Sequence, residues 1–319
     1  MATARRPGAA RKSTKKGPTK GSGGQHRKSL AGRGPTPKAE DRTWHKSYKP
    51  TQQRQQRNTR SRHKDETVAG RNPVVEALRS DIPARALHMA PRLEMDERVK
   101  EALKLAAERG IPVMETTRIE LDRMTNEANH QGMALQVPPY EYEDGVTVAD
   151  RLMQEWDKGY LRTPPLLIAL DSITDPRNLG AIIRSASAFD AHGVVVPARR
   201  SVGVTATAWK TSAGAAARVP VSQVSNLNNA LVEYKKLGYF VLGLDGDGDQ
   251  SLPGLPLATD PICLVVGSEG KGLSRLVREH CDQIVSIPIA SEMESLNASM
   301  AVGISLYEIA VARAGGRGD

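Results

Sequence analysis

The sequence is poor in cysteine and aromatic residues, and it contains no long apolar run. Its 319 residues include two cysteines, Cys263 and Cys281, whose spacing fits neither a metal site nor a disulfide framework. No apolar run reaches the roughly 20 residues of a membrane span, and the basic N-terminus lacks the apolar segment of a secretory signal. These absences predict a protein of the reducing cytoplasm that uses neither a metal ion nor a membrane segment.

Acidic residues are scarce in the first part of the chain, and apolar residues there are too few for a core. Residues 1–64 contain 19 Lys and Arg against two acids, Glu40 and Asp41, whereas the remainder contains 26 basic and 34 acidic residues. This stretch is rich in Gly, Pro, Ser, Thr and Gln, a composition typical of disorder. We therefore expect a disordered basic extension that binds nucleic acid in a salt-sensitive way. A solvated extension without a dedicated partner is the alternative.

The rest of the chain is predicted to contain two α/β units. Residues 65–139 are predicted as a small unit, and the polar residues 140–164 as a linker with one helix around 147–158. In residues 165–315, apolar strands alternate with helices, a pattern typical of a buried, mostly parallel sheet. The predicted strands of this second domain are 166–173, 194–197, 217–221, 239–244, 262–266 and 283–289. The predicted helices are 177–190, 205–214, 226–237, 272–280 and 296–313.

Three loops follow strands of the second domain, at the edge of a parallel sheet where ligands bind. These loops are 174–180, 267–272 and 290–297. In the first, Asn178 lies in the first turn of a helix that is predicted to begin at Asp175-Pro176. Arg184 follows among small residues, which leave room for a ligand or another backbone. The alternative is an arginine on a solvated helix face.

The third loop leads into the predicted helix 296–313, which is apolar on nearly every side and is therefore expected to be buried. Ser295 and Asn297 are polar residues at its start. A capping role for Ser295 is the alternative to a functional one, because serine is a common N-cap residue.

The second loop carries the stretch V-V-G-S-E-G-K-G-L-S at 265–274, where an apolar strand runs into glycines. It does not fit a P-loop, because Val265 stands where that motif has its first glycine and Gly272 where it has Ser or Thr. Its glycine spacing also differs from that of a dinucleotide-binding loop. Glu269 would repel a phosphate, so the loop favours a cation or a hydrogen-bond donor. The other glycine cluster, G-D-G-D at 246–249, is acidic and is predicted as a turn.

Together, the three loops resemble the three motifs of the SpoU (TrmH) family of RNA ribose 2′-O-methyltransferases, within the SPOUT class. The matching stretches are D-x-x-x-D-P-x-N-L-G-x-x-x-R at 171–184, V-V-G-S-E-G-x-G-L at 265–273 and I-P-I…S-L-N-x-S-x-A at 287–301. Upstream, V-A-G-R-N-P-V-x-E-A-L and N-H-Q-G (129–132) resemble the small substrate-binding domain of that family. The resemblance covers about residues 67–313 and is closest to the RlmB-like enzymes, which methylate a guanosine ribose in 23S rRNA.

The resemblance implies a C-terminal SPOUT-type α/β domain with a deep trefoil knot, preceded by a small α/β domain that binds the RNA substrate. The residues alone predict an ordinary doubly wound sheet, since knots are very rare. The resemblance further implies a homodimer whose active site lies near the dimer interface, S-adenosylmethionine as the methyl donor and 23S rRNA as the substrate. The implied cofactor contacts are Gly267, Ser268, Gly270, Ile287, Leu296 and Ala298. The implied catalytic residues are Asn178, Arg184, Glu269, Ser295 and Asn297.

The implied reaction moves a methyl group from a sulfonium to a ribose 2′-hydroxyl and requires no metal. The hydroxyl is a weak nucleophile, so an activating group is needed. The family assigns this task to the residue that is Arg184 here. A guanidinium is a poor base at neutral pH, because it holds its proton in proteins. Arg184 therefore either shares protons within a hydrogen-bond network or, as we favour, stays charged and stabilises the developing alkoxide.

Two other functions fit the same motifs. One is a related enzyme that acts on tRNA, or on rRNA in resistance to a ribosome-targeting antibiotic. The other belongs to a different class, a non-catalytic RNA-binding or ribosome-assembly factor. The predicted small domain disfavours the minimal tRNA enzymes, which lack such a domain. The complete set of implied catalytic residues disfavours a non-catalytic factor.

Overall fold

The computed structural model describes residues 65–290 and 296–315, so the predicted basic extension and Ser295 lie outside the described residues. The described residues contain two β-sheets with helices packed on them. The strands are β1 (Glu66–Ala69), β2 (Ala86–Met89), β3 (Val113–Glu115), β4 (Met133–Val137), β5 (Glu143–Asp144), β6 (Leu166–Leu170), β7 (Gly193–Pro197), β8 (Val221–Val224), β9 (Phe240–Leu244), β10 (Gln250–Ser251), β11 (Ile262–Val266) and β12 (Gln283–Ser286). The helices are α1 (Arg71–Arg79), α2 (Glu97–Glu108), α3 (Arg118–Thr125), α4 (Gly145–Asp157), α5 (Pro176–Ala188), α6 (Ala206–Thr211), α7 (Leu227–Lys236), α8 (Arg275–His280) and α9 (Ala298–Gly315).

The small sheet has the strand order β1-β4-β2-β3, with antiparallel pairs on both sides of β4 and a parallel pair between β2 and β3. Helices α1 and α2 share its core, where Val74 and Val99 are completely buried. Asp96 caps α2 by accepting a hydrogen bond from the Val99 backbone N–H over 2.9 Å. A capping box between Thr117 and Glu120 begins α3. Capping and apolar burial thus account for this part of the fold.

The large sheet has the strand order β10-β12-β9-β11-β6-β7-β8-β5, and every paired neighbour runs parallel. Its central strands β6 and β11 are buried along their whole length. Helices α5 and α9 cover one face of the sheet, and α4, α7 and α8 cover the other. This two-sided cover explains the continuous apolar runs in the sequence. The predicted α/β class with a mostly parallel sheet is confirmed.

Three predicted strands differ from the structure in their positions. The strand predicted at 166–173 ends at Leu170. The strand predicted at 217–221 begins at Val221 instead, and Ala215–Ala217 form a 3₁₀ turn. Pro220 has no N–H to donate to a strand ladder, so the ladder begins after it. β12 likewise ends at Ser286, ahead of Pro288 and short of the predicted residue 289.

Residues 143–157, which the sequence places in a linker with one helix, add a strand to the large sheet and a helix that packs on it. Strand β5 pairs with β8 at its edge, and α4 follows immediately. Asp144 begins α4 by accepting a hydrogen bond from the Thr147 backbone N–H over 3.0 Å. Val148 and Leu152 of α4 are buried in the core beneath the sheet. This segment therefore contributes to the stability of the large sheet.

Helix α9 is buried along one face only. Val302, Leu306 and Ile309 lie in the core, as the apolar sequence of the helix predicts. The opposite side exposes four apolar residues at helical spacing, so the expectation that the whole helix is buried is wrong for the single chain. This α9 stripe consists of Met300, Ile304, Tyr307 and Val311, which are 59%, 39%, 56% and 48% exposed. Among the helices of the described ranges, none is long and apolar enough to cross a membrane.

Arg313 binds the C-terminal end of α9 to the segments that precede strands β6 and β11. Its buried guanidinium donates hydrogen bonds of 2.8 to 2.9 Å to the backbone carbonyls of Ala258, Pro164 and Asp260. Burial lowers the pKa of Arg313 to about 10, so the group stays charged at neutral pH. Three charge-assisted hydrogen bonds hold it in place.

The short helix α6 contacts the small sheet on one side and helix α5 on the other. The backbone N–H of Ala206 donates to the Glu66 carboxylate of β1 over 2.7 Å, which ties the helix to the small sheet. On its other side, α6 lies so close to α5 that a Cβ on Gly180 would meet the Ala208 carbonyl oxygen at 2.4 Å. The glycine at this position therefore allows the two helices to pack together.

Candidate active site

Asn178 is placed at the carboxyl end of β6 by the start of α5. Asp175 caps this helix by accepting a hydrogen bond from the Arg177 backbone N–H over 2.8 Å, and Pro176 occupies the first helical position. Asn178 follows in the first turn and is buried. Its side chain faces the loops that follow β11 and β12, as the hydrogen bonds described next show.

Three polar side chains from the three predicted loops meet there. The Asn178 side-chain amide donates to Glu269 Oε1 over 2.9 Å, and the Asn297 amide donates to Asn178 Oδ1 over 3.1 Å. The Asn297 amide also donates to Glu269 Oε1. We call these residues the Asn–Glu–Asn cluster. Within the described residues the second carboxylate oxygen, Oε2 of Glu269, accepts no hydrogen bond, and the residue is exposed. One oxygen of Glu269 is thus held by the protein and the other is available to a ligand.

Asn297 also begins helix α9. Its Oδ1 accepts hydrogen bonds from the backbone N–H groups of Ser299 and Met300 over 3.0 and 3.3 Å. The helix starts at Ala298, so Asn297 and not Ser295 stands at the capping position. An asparagine can do both tasks because its oxygen accepts from the helix while its amide group donates to the cluster.

The glycines of the second loop serve the folding of the loop itself. The Gly272 backbone N–H donates to the Ser268 carbonyl over 2.9 Å, which closes the loop. A Cβ on Gly267 would lie 2.1 Å from the Gly272 carbonyl carbon, so no other residue fits there. Gly270 and Gly272 have φ of 75° and 61°, in the left-handed region that favours glycine. The side of Gly267 on which a Cβ would lie is therefore filled by the loop backbone.

A cavity of about 490 Å³ lies beside the Asn–Glu–Asn cluster. All six residues predicted to contact the cofactor line it, namely Gly267, Ser268, Gly270, Ile287, Leu296 and Ala298. Apolar side chains, including Leu244, Val266 and Ile289, form much of its wall. The volume falls within the range of small-molecule sites, about 300–1,000 Å³. Glu269 belongs to the same wall and connects the cavity to the cluster.

Two acidic residues of this cavity were not predicted as site residues. Asp245 and Asp247 follow β9 and line the cavity wall. Asp245 is paired with Arg278 over 2.9 Å, whereas Asp247 is exposed and has no ion pair among the described residues. The sequence interpretation took this glycine-rich stretch as a simple turn. Its position at the carboxyl end of an apolar strand was the signal that could have identified it.

Arg184 does not join the Asn–Glu–Asn cluster in the single chain. Its side chain is exposed and makes no hydrogen bond or ion pair with any described residue. Six residues of α-helix at about 100° each place Arg184 roughly 240° around α5 from Asn178. Among the described residues, Arg184 therefore stands apart from the other residues that the resemblance places with it at the active site.

Solved structures place this architecture among the SpoU methyltransferases. The crystal structure of the SpoU methyltransferase AviRb from Streptomyces viridochromogenes, in complex with the cofactor AdoMet, is similar with a TM-score of 0.59 and 25% identity, over 82% of this chain and 94% of that chain. The AdoMet-bound rRNA methyltransferase from Sinorhizobium meliloti shows the same fold, with a TM-score of 0.56 and 21% identity, over 81% of this chain and 90% of that chain. The fold and the site thus define a methyltransferase.

Sequence comparison leads from this class to the family. The model of the SpoU rRNA methylase family matches residues 165–307, and a model described as RNA 2′-O ribose methyltransferase substrate binding matches residues 67–143. Relatives named uncharacterized tRNA/rRNA methyltransferase, from Mycobacterium sp. (strain KMS) and Mycobacterium leprae (strain TN), are each 54% identical over 96% of this chain and 97% of their own length. The chain belongs to the SpoU methyltransferase family, as its motifs predicted.

Proposed function

We propose that this protein transfers a methyl group from S-adenosylmethionine to a ribose 2′-hydroxyl of RNA, and that its target is a guanosine in 23S rRNA. The observation that carries the proposal is the Asn–Glu–Asn cluster beside a cavity that all six predicted cofactor residues line. The substrate-binding model that matches residues 67–143 supports ribose as the acceptor. The relatives named tRNA/rRNA methyltransferase support RNA as the substrate.

The residues of the cavity fit S-adenosylmethionine. Ile287, Leu296 and Ala298 offer an apolar surface for the adenine ring, and the loop around Gly267 offers backbone groups. The carboxylates of Asp247 and Glu269 suit the positive charges of the donor. S-adenosylmethionine supplies an electrophilic methyl group on its sulfonium.

The chain's own residues would then position and activate the ribose. Asn178 and Asn297 fix Glu269 through Oε1, which leaves Oε2 to accept a hydrogen bond from the substrate nucleotide. Arg184 keeps its charge and stabilises the negative charge that develops on the 2′-oxygen as its proton leaves to solvent. Ser295 lies outside the described residues, and the family motif assigns it to the same site.

We propose that a second copy of the chain brings Arg184 to the reaction. Two observations support a homodimer. Arg184 has no partner among the described residues of one chain, and the α9 stripe leaves four apolar side chains exposed. Tyr307 of this stripe contacts Phe189, which ends α5, with ring centroids 5.9 Å apart. An interface on the stripe would therefore lie against the helix that carries Arg184.

The domain division and the knot are also part of the proposal. Residues 1–64 would be a basic extension, 65–139 an RNA-binding domain and 165–315 the methyltransferase domain. The segment 140–164 connects the last two and adds β5 and α4 to the large sheet. A trefoil knot is supported by the path after β12. This strand pairs with β9 on one side of β11, yet Asn297 contacts Asn178, which follows β6 on the other side of β11.

We place the protein in the cytoplasm, where rRNA is made and modified in bacteria.

The proposal is tested by mapping 2′-O-methyl groups after incubation of purified protein with S-adenosylmethionine and unmodified 23S rRNA. A single methylated guanosine is expected, and Arg184→Ala is expected to abolish it while donor binding, measured by calorimetry, stays within about twofold. Methylation of tRNA alone would overturn the substrate, and donor binding without transfer to any RNA would favour a non-catalytic factor. Full turnover by Arg184→Ala would overturn the role of that residue.

A further inference from the structure

A second polar cavity lies on the small sheet, away from the methyltransferase site. Its volume is about 660 Å³. The loop that precedes β4, the N-terminal ends of α1 and α2, and helix α3 surround it. Its charged lining residues are Arg71, Arg98, Arg118, His130, Asp122 and Glu127, and Asn129 and Gln131 add side-chain amides.

Part of this lining holds the loop in place. The Gly132 backbone N–H donates to His130 Nδ1 over 2.9 Å, so the opposite ring nitrogen carries the proton and donates to Asp122 Oδ1 over 3.1 Å. Arg71 donates to the Gln131 carbonyl over 3.3 Å and to the Asp96 carboxylate over 2.6 Å. The polar groups of His130 and Arg71 are thus already engaged in hydrogen bonds within the protein. These bonds hold the loop before β4 in one conformation.

Two arginines of the lining keep their guanidinium groups open, and Arg98 acts on the nearby Asp96 carboxylate only through its charge. The guanidinium groups of Arg98 and Arg118 are exposed and make no hydrogen bond or ion pair with any residue that the structure describes. The side-chain amide of Asn129 is likewise unpaired there. Of the two acids, Asp122 is engaged by His130, and Glu127 faces the cavity without a partner. Because Asp96 engages Arg71, the groups left open are the two guanidinium groups of Arg98 and Arg118 and the one carboxylate of Glu127.

We propose that this cavity binds one unpaired nucleotide of the RNA substrate, with its phosphate held by Arg98 and Arg118. The inference rests on the proposed function, because it names the part of the substrate that the small domain holds. The guanidinium fork matches a phosphate through paired hydrogen bonds. Unpaired amide groups such as that of Asn129 match the edge of a base, and single-stranded RNA exposes such edges. Glu127 is placed to accept a hydrogen bond from an amino group of the base.

The test uses the full-length protein with both arginines replaced, Arg98→Ala and Arg118→Ala. Binding of a labelled 23S rRNA transcript and of a labelled single-stranded ribo-oligonucleotide is measured by fluorescence anisotropy at several salt concentrations. The affinity for both is expected to fall about tenfold or more, with a salt slope reduced by about 0.7 per lost phosphate contact. In the methylation assay, the KM for RNA should rise while kcat and donor affinity remain unchanged.

Arg123→Ala is the matched control, because Arg123 is exposed on the same helix, α3, and does not line the cavity. It should leave both affinities and the salt slope unchanged, and Arg98→Lys with Arg118→Lys should restore part of the affinity. An unchanged KM and an unchanged salt slope in the double alanine variant would overturn the nucleotide site. Absence of methylation by the wild-type protein would instead overturn the proposed function, since the binding measurement does not depend on catalysis.

Discussion

Asn178 and Glu269 are joined by a 2.9 Å hydrogen bond although 91 residues separate them in the sequence. One follows β6 and the other follows β11, and these two strands are neighbours at the centre of the large sheet. Because parallel strands end at the same edge, their loops come together there. Asn297 completes the contact from the loop after β12. The cluster therefore forms only when three distant parts of the chain are folded correctly relative to one another.

Replacement of Glu269 by glutamine keeps the size of the side chain but removes its charge. An oxygen can still accept from Asn178, while the free oxygen becomes an amide that cannot accept from the nucleotide. We expect kcat/KM for RNA to fall about tenfold to hundredfold, the value of a hydrogen bond to a charged group. Steady-state methylation kinetics measure this. Glu279→Gln, at an exposed acid paired with Arg275 over 2.7 Å, is the control, and equal rates for both variants would contradict the role of Glu269.

The two tasks of Asn297 can be separated by Asn297→Ser. Serine is as good an N-cap as asparagine, so the melting temperature should change little. The hydrogen bonds to Asn178 and Glu269 require the side-chain amide and would be lost. Methylation should therefore fall while thermal stability stays the same, as scanning calorimetry and an activity assay on one preparation would show. A parallel loss of both would mean that Asn297 acts only through the helix.

The α9 stripe predicts the effect of Tyr307→Glu. If the stripe is a dimer interface, a buried unpaired carboxylate would weaken association by about 3 kcal/mol or more, roughly hundredfold in the dissociation constant. Sedimentation at several protein concentrations measures this. Tyr160→Glu is the matched control, because Tyr160 is 76% exposed elsewhere. A variant that sediments like the wild type would exclude the stripe as the interface.

Removal of residues 1–64 is expected to weaken RNA binding without loss of the site. This segment carries 19 basic residues against two acids, and each phosphate contact contributes to the salt dependence of binding. The slope of log affinity against log salt should therefore become shallower, while donor binding is unchanged. A second variant that keeps the length but replaces the lysines and arginines by glutamine should behave in the same way. An identical slope in all three proteins would leave the extension without a role in RNA binding.

His192 predicts a loss of stability in mild acid. Its Nδ1 accepts a hydrogen bond from the Leu166 backbone N–H over 3.1 Å, and burial lowers its pKa. Below about pH 6.5 the unfolded chain binds a proton that folded His192 does not, so the free energy of unfolding falls until the lowered pKa is reached. The melting temperature of wild type should drop between about pH 7.5 and 5.5. His192→Asn keeps a hydrogen-bond acceptor but does not titrate, so its melting temperature should drop less over this pH range. An equal drop in both proteins would contradict the role given to His192.

Much of the fold and part of the site could be predicted from residue types. Apolar strands that alternate with helices indicated a parallel sheet, and motif resemblance singled out Asn178, Glu269 and Asn297, which the structure brings together. The exposed position of Arg184, apart from the cluster, could not be predicted, because it depends on how helix α5 turns. The acids after β9 were missed because a turn composition concealed their position at a strand end.

The order of synthesis decides when the candidate site is complete. Asn297 stands at one end of helix α9 and Arg313 at the other, and both follow every strand of the large sheet in the sequence. A ribosome therefore delivers them after those strands, which can begin to fold before α9 emerges. Until then the sheet lacks Asn297, the third member of the Asn–Glu–Asn cluster. The strands that position the candidate site thus exist before the site itself does.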